Sequence, residues 1–402
     1  MTTSSDPASA KTSTILVLTI CAALMLLEGF DIQAVGIAAP KLMPALHLGP
    51  ARSGAIFGLG QWGVVFGALI GGYLCDRWGR RNTLFVAVLI FAGMTLLTPQ
   101  ARDFNSLLAL RMGTGVGMGA VFPSVVNIAL ERATAHRRVQ AVTSTMTGLP
   151  IGGALVSIFA TLFMERLGWQ SLFYVGGITP LVLAPLVFLL PNTRGQRKTN
   201  GQLPVLNALS GDGRLWTTIV VCLLYLVTMT VSYLMLNWLP SLITARGFGV
   251  QQGHEASLVF NAASAAGILV TGFFVDRFGY MRIIPLAYSG LLAAICFLSF
   301  TNSLEAILIS AGFLGFFILG AQNALNGICP MFYPPAARGV AVGAAIGVGR
   351  CGSILGPLYA GFMLQAGLSP VMVTFSAAPL ILCAAVLLFL MARNQGASST
   401  VA

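Results

Sequence analysis

The chain has 402 residues, of which 56% are hydrophobic and only 8% charged, with a mean hydropathy of +0.87. Soluble globular domains carry about 25% charged residues, so the composition excludes that class and describes a membrane protein. The net charge of +11 comes from Lys and Arg spread thinly between apolar runs, without the basic stripe that a nucleic-acid partner needs.

Residues 1–13 form a polar tail expected to be disordered. The apolar run that follows exceeds a signal-peptide core of about 7–15 residues and has no small-residue cleavage site, so it stays as a spanning helix. Runs of about 20 apolar residues recur along the chain. They predict helices over 14–39, 51–74, 82–100, 104–130, 139–164, 170–191, 216–242, 253–275, 282–300, 304–331, 338–362 and 368–392. The connections are short except for "NTRGQRKTNGQLPVLNALSGDGRL" at 192–215, a polar, Gly-rich cytoplasmic linker. The expected architecture is an all-α membrane protein with twelve transmembrane helices in two six-helix pseudo-repeats, 14–191 and 216–392, closed by a tail at 393–402.

Charge supports this count. With both termini in the cytoplasm, fifteen Lys and Arg fall in inner segments, and only Lys41, Arg52, Arg102, Arg166 and Arg246 lie outside. That is the bias expected of a multi-pass inner (plasma) membrane protein whose basic loops stay inside. An internal repeat supports the halves: "GGYLCDRWGRR" at 71–81 and "TGFFVDRFGYMR" at 271–282 each follow the second helix of a half. Repeats of this kind suit a transporter with a site near the midplane, where the halves meet.

Four ionisable residues lie clearly within the spans, away from their ends: Glu28, Asp31, Arg111 and Arg350. A charge at a helix centre costs at least about 2.5–3.5 kcal/mol, so these groups need partners or a wet cavity. Glu28 and Asp31 are three residues apart and are expected on one helix face. All four are expected to share one chamber, the acids carrying a proton and the arginines holding an anion. Moving a monoanion against a negative interior costs about 2.3 kcal/mol per 100 mV, which one co-transported proton cancels. Asn237, Gln322 and Asn323 are candidates to bond a substrate hydroxyl, and Phe57, Trp62, Phe122 and Tyr233 to line an aromatic pocket. Pro150 in "GLPIGG" marks a kink. The seven cysteines are scattered without metal spacing, and the three histidines are isolated, His47 and His254 in outer connections and His136 in an inner loop. No cofactor or metal is expected. Nothing resembles a nucleophile–base pair or a phosphate-binding loop, so an enzyme is not expected either.

"GYLCDRWGRR" and "RMGTGVGMG" resemble the two signatures of the major facilitator superfamily, after helix two and on helix four. "LEGFDIQAVGIAAP", "NWLPSLI" and "YPPAARGVAVGAAIGVGRCGSILGP" are similar to the aromatic acid:proton symporters within it, nearest the branch that imports 3-(3-hydroxyphenyl)propionate. That family usually has Asp where Glu28 stands. The resemblance implies a monomeric symporter that imports an aromatic carboxylate with a proton across the lipid bilayer. It further implies that Glu28 and Asp31 couple protons, and that Arg111 and Arg350 bind the carboxylate. Asp76, Arg77, Arg80 and Arg81, with Asp276 and Arg277 as their second copy, form a cytoplasmic gate by the same likeness. Glu131 is expected to pair with the arginines near it at this gate. The alternative is a proton-coupled drug or metabolite efflux antiporter of the same fold. Two intramembrane arginines favour an anionic cargo over a lipophilic cation. A transporter-derived sensor is disfavoured by the short C-terminal tail.

Overall fold

In hydrocarbon no water can satisfy a free backbone N–H or C=O, so each spanning segment must close its own hydrogen bonds as a helix. A computed structural model describes residues 14–132, 138–190, 205–211, 214–334 and 337–399, and among these there is no strand. Twelve helices are long and apolar enough to cross a membrane. In the first half these are α1 (Thr14–Ala45), α2 (Pro50–Trp78), α3 (Arg80–Gln100), α4 (Phe104–Arg132), α5 (Val142–Leu167) and α6 (Gln170–Leu189). The second half holds α7 (Leu215–Ala245), α8 (Val250–Phe278), α9 (Arg282–Phe300), α10 (Leu304–Phe332), α11 (Arg338–Gln365) and α12 (Pro370–Leu388). The tail at 1–13 and most of the linker lie outside the described residues.

Several boundaries differ from the sequence reading. The first helix runs through Pro40 and Pro44 to Ala45, and His47 in the turn beyond it has a left-handed φ of 49°. Proline removes one intrahelical bond, and the buried surroundings tolerate that loss. Pro150 leaves the Met146 carbonyl without its usual donor, and the α-helix is interrupted at Thr147 between Arg138–Met146 and Gly148–Leu167. Within the linker, Val205–Ser210 forms a short helix, and Thr218 Oγ1 donates to the Leu209 carbonyl at 2.7 Å. The final helix continues to Ser399 through the expected tail, which contains no proline.

The repeated D-R-x-G has a backbone cause. Gly79 and Gly279 sit at φ 87° and 80°, a region other residues rarely enter, and each turns the chain into the next helix. Pairing within the halves also repeats: α1 packs on α5 as α7 does on α11, and α2 on α4 as α8 does on α10. A Cβ on Gly119 would lie 2.1 Å from the Val64 carbonyl, and one on Gly315 would lie 2.0 Å from that of Phe260. Small residues let these backbones touch, which is how membrane helices associate without a hydrophobic driving force.

The halves meet through α1 with α7, α2 with α11 and α5 with α8. These contacts gather at the end opposite the basic loops. There, a Cβ on Gly54 would meet the Pro357 carbonyl at 2.6 Å and Gly361 Cα at 3.0 Å, and one on Gly36 would meet the Asn237 carbonyl at 2.7 Å. Gln33 and Asn261 exchange amide hydrogen bonds of 2.7 Å in both directions, and His254 bonds the Ile37 carbonyl at 3.1 Å. His254 therefore lies buried inside α8 and not in an outer connection. Toward the basic loops, by contrast, Gly327, Gly339, Gly343 and Gly347 have no atom within 4 Å of a built Cβ. The bundle is sealed at one end and parted at the other.

A side chain at residue 54 should force the sealed end apart. Gly54→Leu is expected to raise the rate at which an impermeant maleimide, added from that face, labels Val35→Cys by about tenfold or more. An unchanged rate would mean that this glycine contact does not hold the end shut.

Candidate functional site

A residue of an α-helix turns about 100° from its predecessor, so Glu28 and Asp31 are separated by about 60° around α1. That angle is enough to send them to different places. Asp31, with 0% exposure, turns into the first half: Arg111 Nη2 donates to Oδ2 at 2.7 Å, Nη1 to Oδ1 at 3.4 Å, and Thr95 Oγ1 to Oδ1 at 2.8 Å. The guanidinium lies 5.9 Å from the centroid of Phe173. Four helices thus converge on one bidentate ion pair, with Gly60 of α2 facing the Arg111 stem. Thr95 and Phe173 carried no sequence signal, because a threonine or phenylalanine in an apolar run is ordinarily packing.

Glu28 turns instead to a cavity between the halves, which holds about 1010 Å³ of empty space including its open mouth. Arg350 lines the same cavity from α11, donating to Tyr233 Oη at 3.3 Å and lying 5.9 Å from the Phe122 ring centroid. Glu28 Oε2 is buried without a protein hydrogen-bond partner. The expected single chamber is therefore two adjoining spaces. Arg111 lines a smaller one with Asn237 and Phe57, and the two share Ile32, Gln61 and Val64 as a wall.

The two halves furnish the larger cavity differently. The first half gives an apolar wall, including Ile32, Val64, Phe122, Met146, Leu149 and Pro150. The second contributes Ser232, Tyr233, Gln322, Asn323, Asn326 and Arg350. Of the expected polar contacts, Gln322 and Asn323 line this space, whereas Asn237 lines the smaller one and donates to the Tyr233 carbonyl at 2.8 Å. Trp62 stacks on Phe66 at the outer surface, 40% exposed, and lines neither. Gln61, Ser232 and Asn326 were missed, since a lone polar residue in a span reads equally well as glue between helices.

Among the described residues, Arg77, Arg80, Arg81 and Arg277 of the expected gate each contact a residue of their own half. Arg80 pairs with Glu131 inside the first half, as the sequence suggested for Glu131. Arg77 donates to Tyr73 Oη at 3.1 Å, Arg81 lies 5.7 Å from the Phe188 ring, and Arg277 lies 5.7 Å from Phe278. Asp76 and Asp276 are exposed. His136 lies outside the described residues.

Comparison with known proteins assigns this geometry. The sequence profile of the Major Facilitator Superfamily matches residues 21–295 and 250–401. The chain belongs to this superfamily of transporters. It is 36% identical over 392 residues to the 3-(3-hydroxy-phenyl)propionate transporter of Escherichia coli (strain K12), covering 97% of this chain and 96% of that one. It is 30% identical over 401 residues to a gallate transporter of Pseudomonas putida, covering 90% and 89%. Among solved structures, a bacterial homologue of the human lysosomal transporter Spinster, in an inward-facing and occupied conformation, shares the fold. Its TM-score is 0.76 at 17% identity, with 96% of this chain and 98% of that chain covered. The chain is accordingly a multi-pass membrane protein with the twelve-helix fold of this superfamily.

Removing one partner of the buried pair leaves the other charge uncompensated, at a cost of about 3–5 kcal/mol. Asp31→Asn should therefore lower the apparent Tm of the detergent-purified protein clearly, and Asp31→Asn with Arg111→Gln should recover part of the loss. A loss in the double variant equal to the sum of the two single losses would show that the two charges do not stabilise each other.

Proposed function

We propose that the chain imports an aromatic carboxylate together with a proton, as a monomer in a bacterial inner membrane with both termini in the cytoplasm. One observation carries this reading: Glu28 and Arg350, opposite charges from opposite halves, face one cavity that also has a large apolar wall. A guanidinium stays charged at any depth and grips a carboxylate in a planar fork. Phe122 and its apolar neighbours suit an aromatic ring. The names of the relatives, which refer to a hydroxyphenylpropionate and a gallate, support the same substrate class.

In this mechanism the parted end is the cytoplasmic one, and the basic loops beside it agree with that orientation. The substrate carboxylate engages Arg350 in place of Tyr233. Glu28, whose Oε2 has no protein partner, carries the proton whose entry cancels the electrical cost of the anion. Asp31 and Arg111 fix α1 against α4 in this state and form the second set of proton and carboxylate groups when the pair separates. The gate residues join the halves when the cytoplasmic end closes. Rocking of one half against the other exposes the cavity to each side in turn.

Uptake of radiolabelled 3-(3-hydroxyphenyl)propionate tests the assignment. Wild-type cells should accumulate it, and a protonophore should abolish the accumulation. Glu28→Gln should keep exchange of labelled for unlabelled acid while losing uphill accumulation, and Arg350→Lys should raise KM by about tenfold or more. Proton-driven accumulation by Glu28→Gln at the wild-type level would overturn the role given to Glu28.

A further inference from the structure

The polar side chains of the larger cavity divide into those already committed and those left open. Gln33 is consumed by Asn261, Asn326 Oδ1 accepts from Tyr225 Oη at 2.9 Å, and Tyr233 accepts from Arg350. Gln322 is different. It is 7% exposed, lines the cavity from α10, and neither Nε2 nor Oε1 has a hydrogen-bond partner. Ser232 Oγ, 2% exposed, from the same half, and Gln61 Oε1, from the other half, also line this cavity without partners. Buried polar groups are nearly always bonded, so such a cluster at a cavity surface is a place where a ligand completes the bonding.

We infer that Gln322, together with Ser232 and Gln61 in the same cavity, is the specificity-determining residue that reads a hydroxyl on the substrate's ring. The chemistry of the open atoms selects this ligand group. Among the open atoms, a carboxylate, which only accepts, cannot bond the amide oxygens of Gln322 and Gln61, and an ammonium, which only donates, cannot bond Gln322 Nε2. A phenolic hydroxyl both donates and accepts, and can bond Nε2 of the amide and a second acceptor such as Gln61 Oε1, or Oε1 and the Ser232 hydroxyl. The carboxylate is drawn elsewhere, to Arg350. A site built around such a hydroxyl rejects an analogue lacking it, because the protein groups are then left buried and unpaired. The inference rests on the proposed import of an aromatic carboxylate and deepens it by naming the ring substituent and the residue that detects it.

The test compares 3-(3-hydroxyphenyl)propionate with 3-phenylpropionate, which differ only by the hydroxyl, in cells with matched amounts of transporter in the membrane. Wild type is expected to favour the hydroxylated acid by about ten- to a hundredfold in kcat/KM, the range for one unsatisfied buried group. Gln322→Met, close in volume, should reduce that preference to about twofold, by loss on the hydroxylated acid and by gain on 3-phenylpropionate, which no longer leaves an amide buried and unpaired. Equal uptake of the two acids by wild type would overturn the inference, as would an undiminished preference in Gln322→Met. Should that variant fail to reach the membrane, Ser232→Ala serves with the same expected direction, and an unchanged preference there counts against the cluster. If wild type accumulates neither acid, the import reading itself fails and the hydroxyl assignment falls with it, a result distinct from uptake without discrimination.

Discussion

An ion inside a bilayer must be paired, or must face space that water or a ligand can enter. This chain solves the problem both ways within one turn of α1. Asp31 is closed off in a bidentate pair with Arg111, further held by Thr95, while Glu28 is left at a cavity edge with an oxygen that no protein donor satisfies. A buried pair is a poor stabiliser compared with apolar packing, so its presence beside an unpaired acid points to charges kept for use. The proposed transport cycle depends on this division of labour between two acids three residues apart.

Glycine governs where the halves can approach. The contacts of Gly54 with Pro357 and Gly361, and of Gly36 with Asn237, bring backbones together at one end only. Side-chain bonds between Gln33 and Asn261 and from His254 reinforce that end, and the corresponding glycines of α11 nearer the basic loops face open space. Close packing is bistable: contacts made at one end leave the other free, and a rigid rotation can exchange them. At the other end Arg80 and Glu131 pair within the first half.

The cavity inherits its chemistry from this two-part construction. One half offers mainly an apolar surface and the other mainly hydrogen-bonding groups, so a guest with a flat apolar body and polar ends contacts both at once. Such a guest draws its binding energy from both halves and is therefore sensitive to their relative position, which is the differential affinity that alternating access requires.

Length, composition and charge bias were enough to establish a helical membrane protein of twelve spans, because a bilayer imposes one length and one periodicity on every segment. The D-R-x-G repeat marked the halves, since its glycine must adopt a positive φ wherever that turn is made. What sequence could not decide was azimuth. Whether Asp31 joins Glu28 or turns away, whether Asn237 or Ser232 reaches the main cavity, and whether Trp62 faces ligand or lipid all depend on helix rotations of tens of degrees. Those rotations are set by which glycines touch which backbones across the bundle, a relation among residues hundreds of positions apart that only the assembled tertiary structure contains.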